Sequence, residues 1–517
     1  MGEIGKVIGR ASPCSFYIVS AGRPPPVFEY LTYKLNEGGK EVDVVAQVVE
    51  PVSESRILTE YTSLEAMEKI MEKGLDSPYH YALVKVLGYL DGEEIKLPRN
   101  PPEPGTSVFV ADDDLLRRIY SSEKGIDVGH LLTRQGVRVA FDLNGFRRHL
   151  AVLAATGAGK SYAAGLIMEK LLERGATVVV IDPHGDYTKM GIDRDGNPVR
   201  DENGTPAFWY DRIHVFHVPG EERSYPYENV KEFTVKLKDL GLEILKELMG
   251  VRETWTRINE AIDEAYKEIG DDSGVEDLIS KLDEMSKSKK EAQGAERAKS
   301  YAEKLRNYRV IGKETTSIRE CLKPGTLIIL DFSGVDDSIL DVATRLVLEE
   351  IFNCKRRREY RYPVFLFIEE AHRIIPADRK AHSSPIVRRI AREGRKFGVF
   401  LTIISQRPRS VDQDVLSMCQ SFITLRIVNP EDQSAVRRSA EKMSEDLLEN
   451  LPGLNVGEAI VTGDLVRLPV IMKFSGRRSD EGGRDIDVER ELEEAVDEIR
   501  REIELNPRNL PRPEEVI

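Results

Sequence analysis

The chain has 517 residues, 40% hydrophobic and 32% charged, with a net charge of −14; this excludes a disordered or membrane-embedded chain and leaves room for more than one globular domain. The acidic balance excludes a protein that coats nucleic acid with its whole surface, while a basic lining within an acidic body stays compatible. No apolar run approaches the roughly 18 residues that span a bilayer, the start MGEIGKVIGR lacks a signal core, and Cys14, Cys321, Cys354 and Cys419 have no paired spacing, so a reduced, cytoplasmic protein without membrane contact is expected.

Residues 1–122 read as a β-rich domain, with short apolar runs at 15–20, 42–49, 81–90 and 107–111 and a turn at Asp91-Gly92. Short strands at regular intervals favour a small barrel. One helix interrupts them, with Thr62 and Glu65 as its expected capping box. Four prolines between Pro98 and Pro104 mark a rigid connection, and nothing here has catalytic spacing. The domain is assigned to partner contact or assembly.

Residues 123–225 open an α/β nucleotide-binding core. In residues 149–165 (HLAVLAATGAGKSYAAG) an apolar run gives way to small residues and then to helix formers, so a buried strand turns sharply into a helix N-terminus. Gly157 and Gly159 let successive N–H groups converge on an anion. This is a Walker A pattern with Ala154 where its first glycine falls. Ala155, Thr156, Gly157, Ala158, Gly159, Lys160, Ser161 and Tyr162 are expected to wrap ATP, Lys160 meeting its phosphates and Ser161 ligating Mg²⁺. The next strand, residues 176–181 (ATVVVI), ends in IDPHGDY. Asp182 therefore belongs either near the nucleotide or its metal, or to a cap on the following turn.

Residues 226–312 turn helical, with apolar positions such as Leu242, Leu245, Leu248 and Met249 at helical spacing, and form an insertion. The core resumes over 313–475. Residues 364–376 (VFLFIEEAHRIIP) place two carboxylates at the end of a buried strand: Glu369 suits the Mg²⁺ shell, and Glu370 suits orientation and deprotonation of water. The run KRRREYR (355–361) precedes that strand and so lies at the sheet end opposite the nucleotide. A basic helix end, RRIAREGRK (388–396), leads into a strand closing with Ser405, Gln406, Arg407 and Pro408. Gln406 is placed to sense the γ-phosphate, and Arg395, then Arg392, to act on a neighbouring subunit's site. Residues 476–517 hold a helical arm with an apolar stripe (Val488, Leu492, Val496, Ile499, Ile503), buried on its own domain or on a neighbour.

Taken together, ATGAGKS, IDPHGDY, FLFIEEAHRIIP and GRKFGVFLTIISQRP resemble the HerA family of archaeal hexameric DNA translocases, relatives of the FtsK motors. The resemblance implies a leading HAS-like β-barrel, a RecA-like core with a helical insertion and a C-terminal arm. It also implies a homohexameric, ATP-driven ring on double-stranded DNA that works with a NurA nuclease in end resection before homologous recombination. Two other readings stay open: another motor of the same class, for conjugation, packaging or secretion, and a nucleotide-binding switch that is no motor.

Overall fold

A computed structural model describes residues 2–20, 22–76, 78–201, 203–220, 223–287, 292–483 and 488–505. Its first element is a barrel. Strands Glu3–Ile8, Ser15–Ser20, Tyr30–Glu37, Lys40–Glu54, Tyr79–Asp91 and Ser107–Val110 pair antiparallel, and the Ser15–Ser20 strand closes on Tyr79–Asp91. Alternation decides the inside: Phe16, Ile18, Tyr33, Val44, Val84 and Val108 fill it. The short strand Glu94–Lys96 hangs on the outside after the turn at Gly92. The helix that interrupts the strands, Leu64–Glu72, begins one residue later than its sequence suggests, and a second helix, Asp113–Tyr120, follows the last barrel strand. Ser63 Oγ accepts from the Ala66 N–H, whereas the Thr62 hydroxyl accepts from the Thr59 N–H and closes the preceding turn.

The core is a 12-stranded mixed sheet among the described residues. In spatial order, strands Asn229–Glu232, Ile213–His217, Leu327–Asp331, Thr177–Asp182, Val364–Ile368, Val399–Ser405, Leu150–Leu153 and Ser421–Thr424 run parallel. Glu458–Thr462, Val470–Phe474, Ile126–Leu131 and Arg138–Phe141 continue it antiparallel. From Leu327–Asp331 across to Ser421–Thr424 the parallel strands are buried along their whole length because helices cover both faces, while the edge strand Asn229–Glu232 is polar and partly exposed. Asn229–Glu232, expected inside the helical insertion, instead extends the sheet edge; the insertion's helices begin at Leu237 and run to Ala302. Their inward faces, among them Leu245, Leu248, Ile262 and Leu282, merge with the main core.

The barrel sits against the core through a Lys85–Asp446 pair (2.7 Å), an Arg134–Glu29 pair (2.7 Å) and the edge-on rings of Tyr30 and Tyr120. The C-terminal helix Val488–Leu505 keeps Val488, Leu492, Val496 and Ile499 exposed, so its stripe does not pack on its own chain; the Ile503 side chain lies outside the described residues. No helix among the described residues is long and apolar enough to cross a membrane.

Candidate active site

Three neighbouring strands bring the site together at their carboxyl ends. Leu150–Leu153 lies between Val399–Ser405 and Ser421–Thr424, with Leu153 opposite both Ser405 and Thr424. Val364–Ile368 adjoins the Val399–Ser405 strand. The Walker loop, the two glutamates and Gln406 are thereby set side by side.

The loop folds as its glycines require, with φ of 71° at Gly157 and 96° at Gly159. Ala154 has no positive φ and its N–H bonds the Ser405 carbonyl (3.3 Å), so a methyl replaces the usual glycine hydrogen without strain. Ala155 N–H is taken by the Arg426 carbonyl and Ala158 N–H by Ala155. Those of Gly157, Gly159 and Lys160 make no hydrogen bond among the described residues. They remain available to an anion at the start of helix Lys160–Glu173.

Lys160 is buried and faces both glutamates: it contacts Glu369 Oε1 directly and lies 3.2 Å from Glu370 Oε1. Glu369 Oε2 accepts from Tyr187 (2.7 Å). Glu370 adopts a left-handed backbone, φ 47° and ψ 48°, which a non-glycine residue keeps only where its surroundings enforce it. Gln406 Nε2 donates to Glu370 Oε1, and Gln406 Oε1 accepts from Thr156 (2.6 Å). His372 Nδ1 lies 3.1 Å from Glu370 Oε2 and 3.3 Å from Ser405 Oγ. Burial works against ionisation of Glu370, yet the His372 hydrogen bond, the Lys160 charge and the Gln406 amide outweigh it and hold the carboxyl down at about 2. A continuous polar chain thus runs from the phosphate loop (Thr156) through Gln406 to the carboxylate.

Asp182 does not face this chain. Its Oδ1 accepts from the N–H groups of His184, Gly185 and Asp186 and its Oδ2 from Tyr187, so it caps the turn that delivers the next two residues. Burial, against those donors, pushes its pKa up to about 7. The group of this motif that reaches the loop is Asp186, which accepts from the Ser161 hydroxyl (2.6 Å). Sequence reasoning missed Asp186, Tyr187 and His372 as site residues, although each stands inside a motif it singled out. Tyr162 is half-buried under the Arg477 guanidinium, 5.9 Å from its ring centroid, and its hydroxyl accepts from Arg477 N–H (3.2 Å).

Among the described residues no cluster of three or more His, Cys, Asp or Glu is arranged to hold a metal alone. The Ser161 hydroxyl beside Asp186, with Glu369 across Lys160, is nonetheless a hard-oxygen set with more carboxylate than cation. That fits Mg²⁺, which takes one or two protein oxygens together with phosphate oxygens and water.

Arg392 and Arg395 lie on helix Ser384–Phe397, which starts at the catalytic end and runs back to the opposite edge, where Val399 begins the next strand. Both are exposed and unpaired among the described residues; Glu393 instead meets Arg389 (3.4 Å). They share that edge with the KRRREYR run, in which Lys355 is buried under the Tyr360 and Tyr362 carbonyls. Neither arginine can therefore serve its own chain's loop.

Residues 126–351 match the family described as the central domain of helicase HerA. The chain is 30% identical to the DNA double-strand break repair helicase HerA of Pyrococcus furiosus, over 91% of this chain and 92% of that protein. The HerA protein of Saccharolobus solfataricus gives the same 30% identity over 91% and 92%. Among solved structures, VirB4 of Thermoanaerobacter pseudethanolicus aligns with a TM-score of 0.49 at 18% identity, covering 69% of this chain and 98% of its own. With the phosphate loop, the paired glutamates and the strand-end glutamine in one cleft, the two HerA relatives establish that the chain belongs to the HerA helicase family and is an ATPase of that family.

Proposed function

We propose that the protein is an ATP-driven translocase on double-stranded DNA. It works in the cytoplasm as a homohexameric ring with a NurA-like nuclease, resecting broken ends for homologous recombination. The observation that carries the reading is the Thr156–Gln406–Glu370 chain: it ties the residue that would activate water to the loop that would hold the phosphates. A nucleotide switch needs the loop but not a strained, buried carboxylate wired to it. The relatives' names support a role in double-strand break repair over conjugation or packaging.

In this reading Lys160 exchanges its carboxylate partners for the β- and γ-phosphates of ATP. Glu370, relieved of that cation, becomes more basic and can orient a water and accept its proton. Gln406 reports through Thr156 whether a γ-phosphate occupies the loop. Ser161, Asp186 and Glu369 would hold Mg²⁺, which offsets charge on the phosphate oxygens. Arg395, with Arg392 as the alternative, reaches a neighbour's γ-phosphate, since both stand at the sheet end away from their own loop. The test is ATP hydrolysis with and without duplex DNA. Strong stimulation by duplex of unrelated sequences, lost with rising salt, is expected; hydrolysis indifferent to DNA would refute the motor.

A further inference from the structure

Several cations in the helical insertion are matched: Lys236 with Asp272 (2.8 Å), Lys281 with Glu268 (2.8 Å), Lys299 with Asp283 (2.6 Å) and Arg306 with Glu276 (2.7 Å). One place departs. Arg252, Arg257, Arg297 and Lys304 make no ion pair among the described residues, and they surround Trp255 and Tyr301, whose ring centroids are 5.3 Å apart. The Arg252 guanidinium lies 5.7 Å from the Trp255 ring and Lys304 Nζ 4.6 Å from the Tyr301 ring. Between residues 255–258 and 297–301 opens a cavity of about 690 Å³, walled by Trp255, Thr256, Arg257, Arg297, Ser300 and Tyr301 with Ile258 at its base.

The sequence builds this on purpose-fit spacing. Arg297, Ser300, Tyr301 and Lys304 recur at helical intervals on one face, while Ala295, Ala298 and Ala302 bury the other. A Cβ on Gly294 would stand 2.6 Å from the Arg257 carbonyl oxygen, so the close approach that puts Arg257 and Arg297 on one cavity depends on that glycine. The neighbouring acids Glu253, Glu260, Glu296 and Glu303 are exposed or half-buried on these elements but line none of the cavity.

We propose that this cavity binds single-stranded nucleic acid, with an unpaired base stacked against Trp255 and Tyr301 and its flanking phosphates held by Arg257 and Arg297. The cations call for a polyanion, and the rings select among polyanions. A duplex keeps its bases stacked inward, and a run of acidic side chains offers no aromatic face, whereas an unpaired strand supplies both. The site lies outside the ATPase cleft and does not depend on translocation along duplex DNA.

The chain's two tryptophans are Trp209 and Trp255, and Trp209 is fully buried, so tryptophan fluorescence quenching reports Trp255. The full chain is titrated with a thymidine oligonucleotide, with a blunt duplex of equal length and with polyglutamate. The oligonucleotide should quench; Trp255→Phe should remove the quenching; and the double variant Arg257→Gln with Arg297→Gln, at two exposed positions, should weaken binding on the order of tenfold or more with duplex-stimulated ATP hydrolysis unchanged. Absence of quenching, equal quenching by duplex or polyglutamate, or undiminished affinity of the double variant would overturn the proposal. So would a parallel loss of duplex-stimulated hydrolysis.

Discussion

Asp182→Asn separates a capping role from a ligand-facing one. An asparagine amide oxygen can keep the place of Oδ1 and its three N–H donors, but the amide nitrogen then points at the Tyr187 N–H, which now bonds Oδ2 at 2.9 Å. One bond is lost and a buried donor meets another donor, costing about 1–3 kcal/mol. The turn holding Tyr187 would loosen, and with it the 2.7 Å bond that orients Glu369. Urea denaturation of the variant should therefore show the core destabilised by that amount, with turnover reduced and ATP affinity nearly kept. Unchanged stability with a hundredfold loss of ATP or Mg²⁺ affinity would show that the carboxylate faces the ligand and would refute the capping argument.

Other consequences are as specific. His149 is buried; its Nδ1 accepts from Leu401 N–H and its Nε2 donates to the Ala391 carbonyl, and burial lowers its pKa to about 4. Folding thus excludes a proton that the unfolded chain binds near pH 6.5, so the stability this neutral ring contributes is present above that pH and is lost as pH falls towards 4, by about 3 kcal/mol; a stability profile over pH 4–7 that does not flatten in His149→Asn would contradict this. In Gly165→Ala the new Cβ would lie 2.5 Å from Arg477 Cζ, a side chain 1% exposed and bonded to the Ser161 carbonyl at 2.9 Å. Overpacking of about 1–3 kcal/mol and weakened ATP binding are expected, and a variant as stable as wild type with unaltered ATP affinity would show that Arg477 gives way freely. Mixing Arg395→Ala with Lys160→Ala subunits under exchange should restore partial ATPase activity, because some interfaces regain an intact loop and a neighbour's arginine; demonstrated mixing without recovery would move the role to Arg392 or remove it.

The phosphate loop was legible because everything that shapes it is local: an apolar run, glycines at Gly157 and Gly159, and a helix-forming segment with Lys160 at its head. The paired glutamates were legible for the same reason, since a five-residue apolar run rich in branched and aromatic side chains and ending in charge fits the end of a buried strand. Asp186 was not, because which carboxylate of IDPHGDY faces the loop depends on the turn that Asp182 caps, and that turn is made by backbone donors with no side-chain signature. The direction of Arg392 and Arg395 could have been found by length alone: fourteen residues from Ser384 to Phe397 at about 1.5 Å each carry the helix's far end some 20 Å from the catalytic edge. Closure of the barrel, by contrast, rests on Ser15–Ser20 pairing with Tyr79–Asp91, a contact between strands some sixty residues apart that alternation cannot register.

The central claim, that Glu370 acts on water while Lys160 holds phosphate, is tested most directly by ATP binding and turnover of Glu370→Gln beside Lys160→Ala, with duplex DNA present. Glu370→Gln should bind ATP within a few-fold of wild type and hydrolyse it about a hundredfold or more slowly, whereas Lys160→Ala should fail at binding. Near-normal turnover by Glu370→Gln, or a loss of binding as deep as that of Lys160→Ala, would contradict the account.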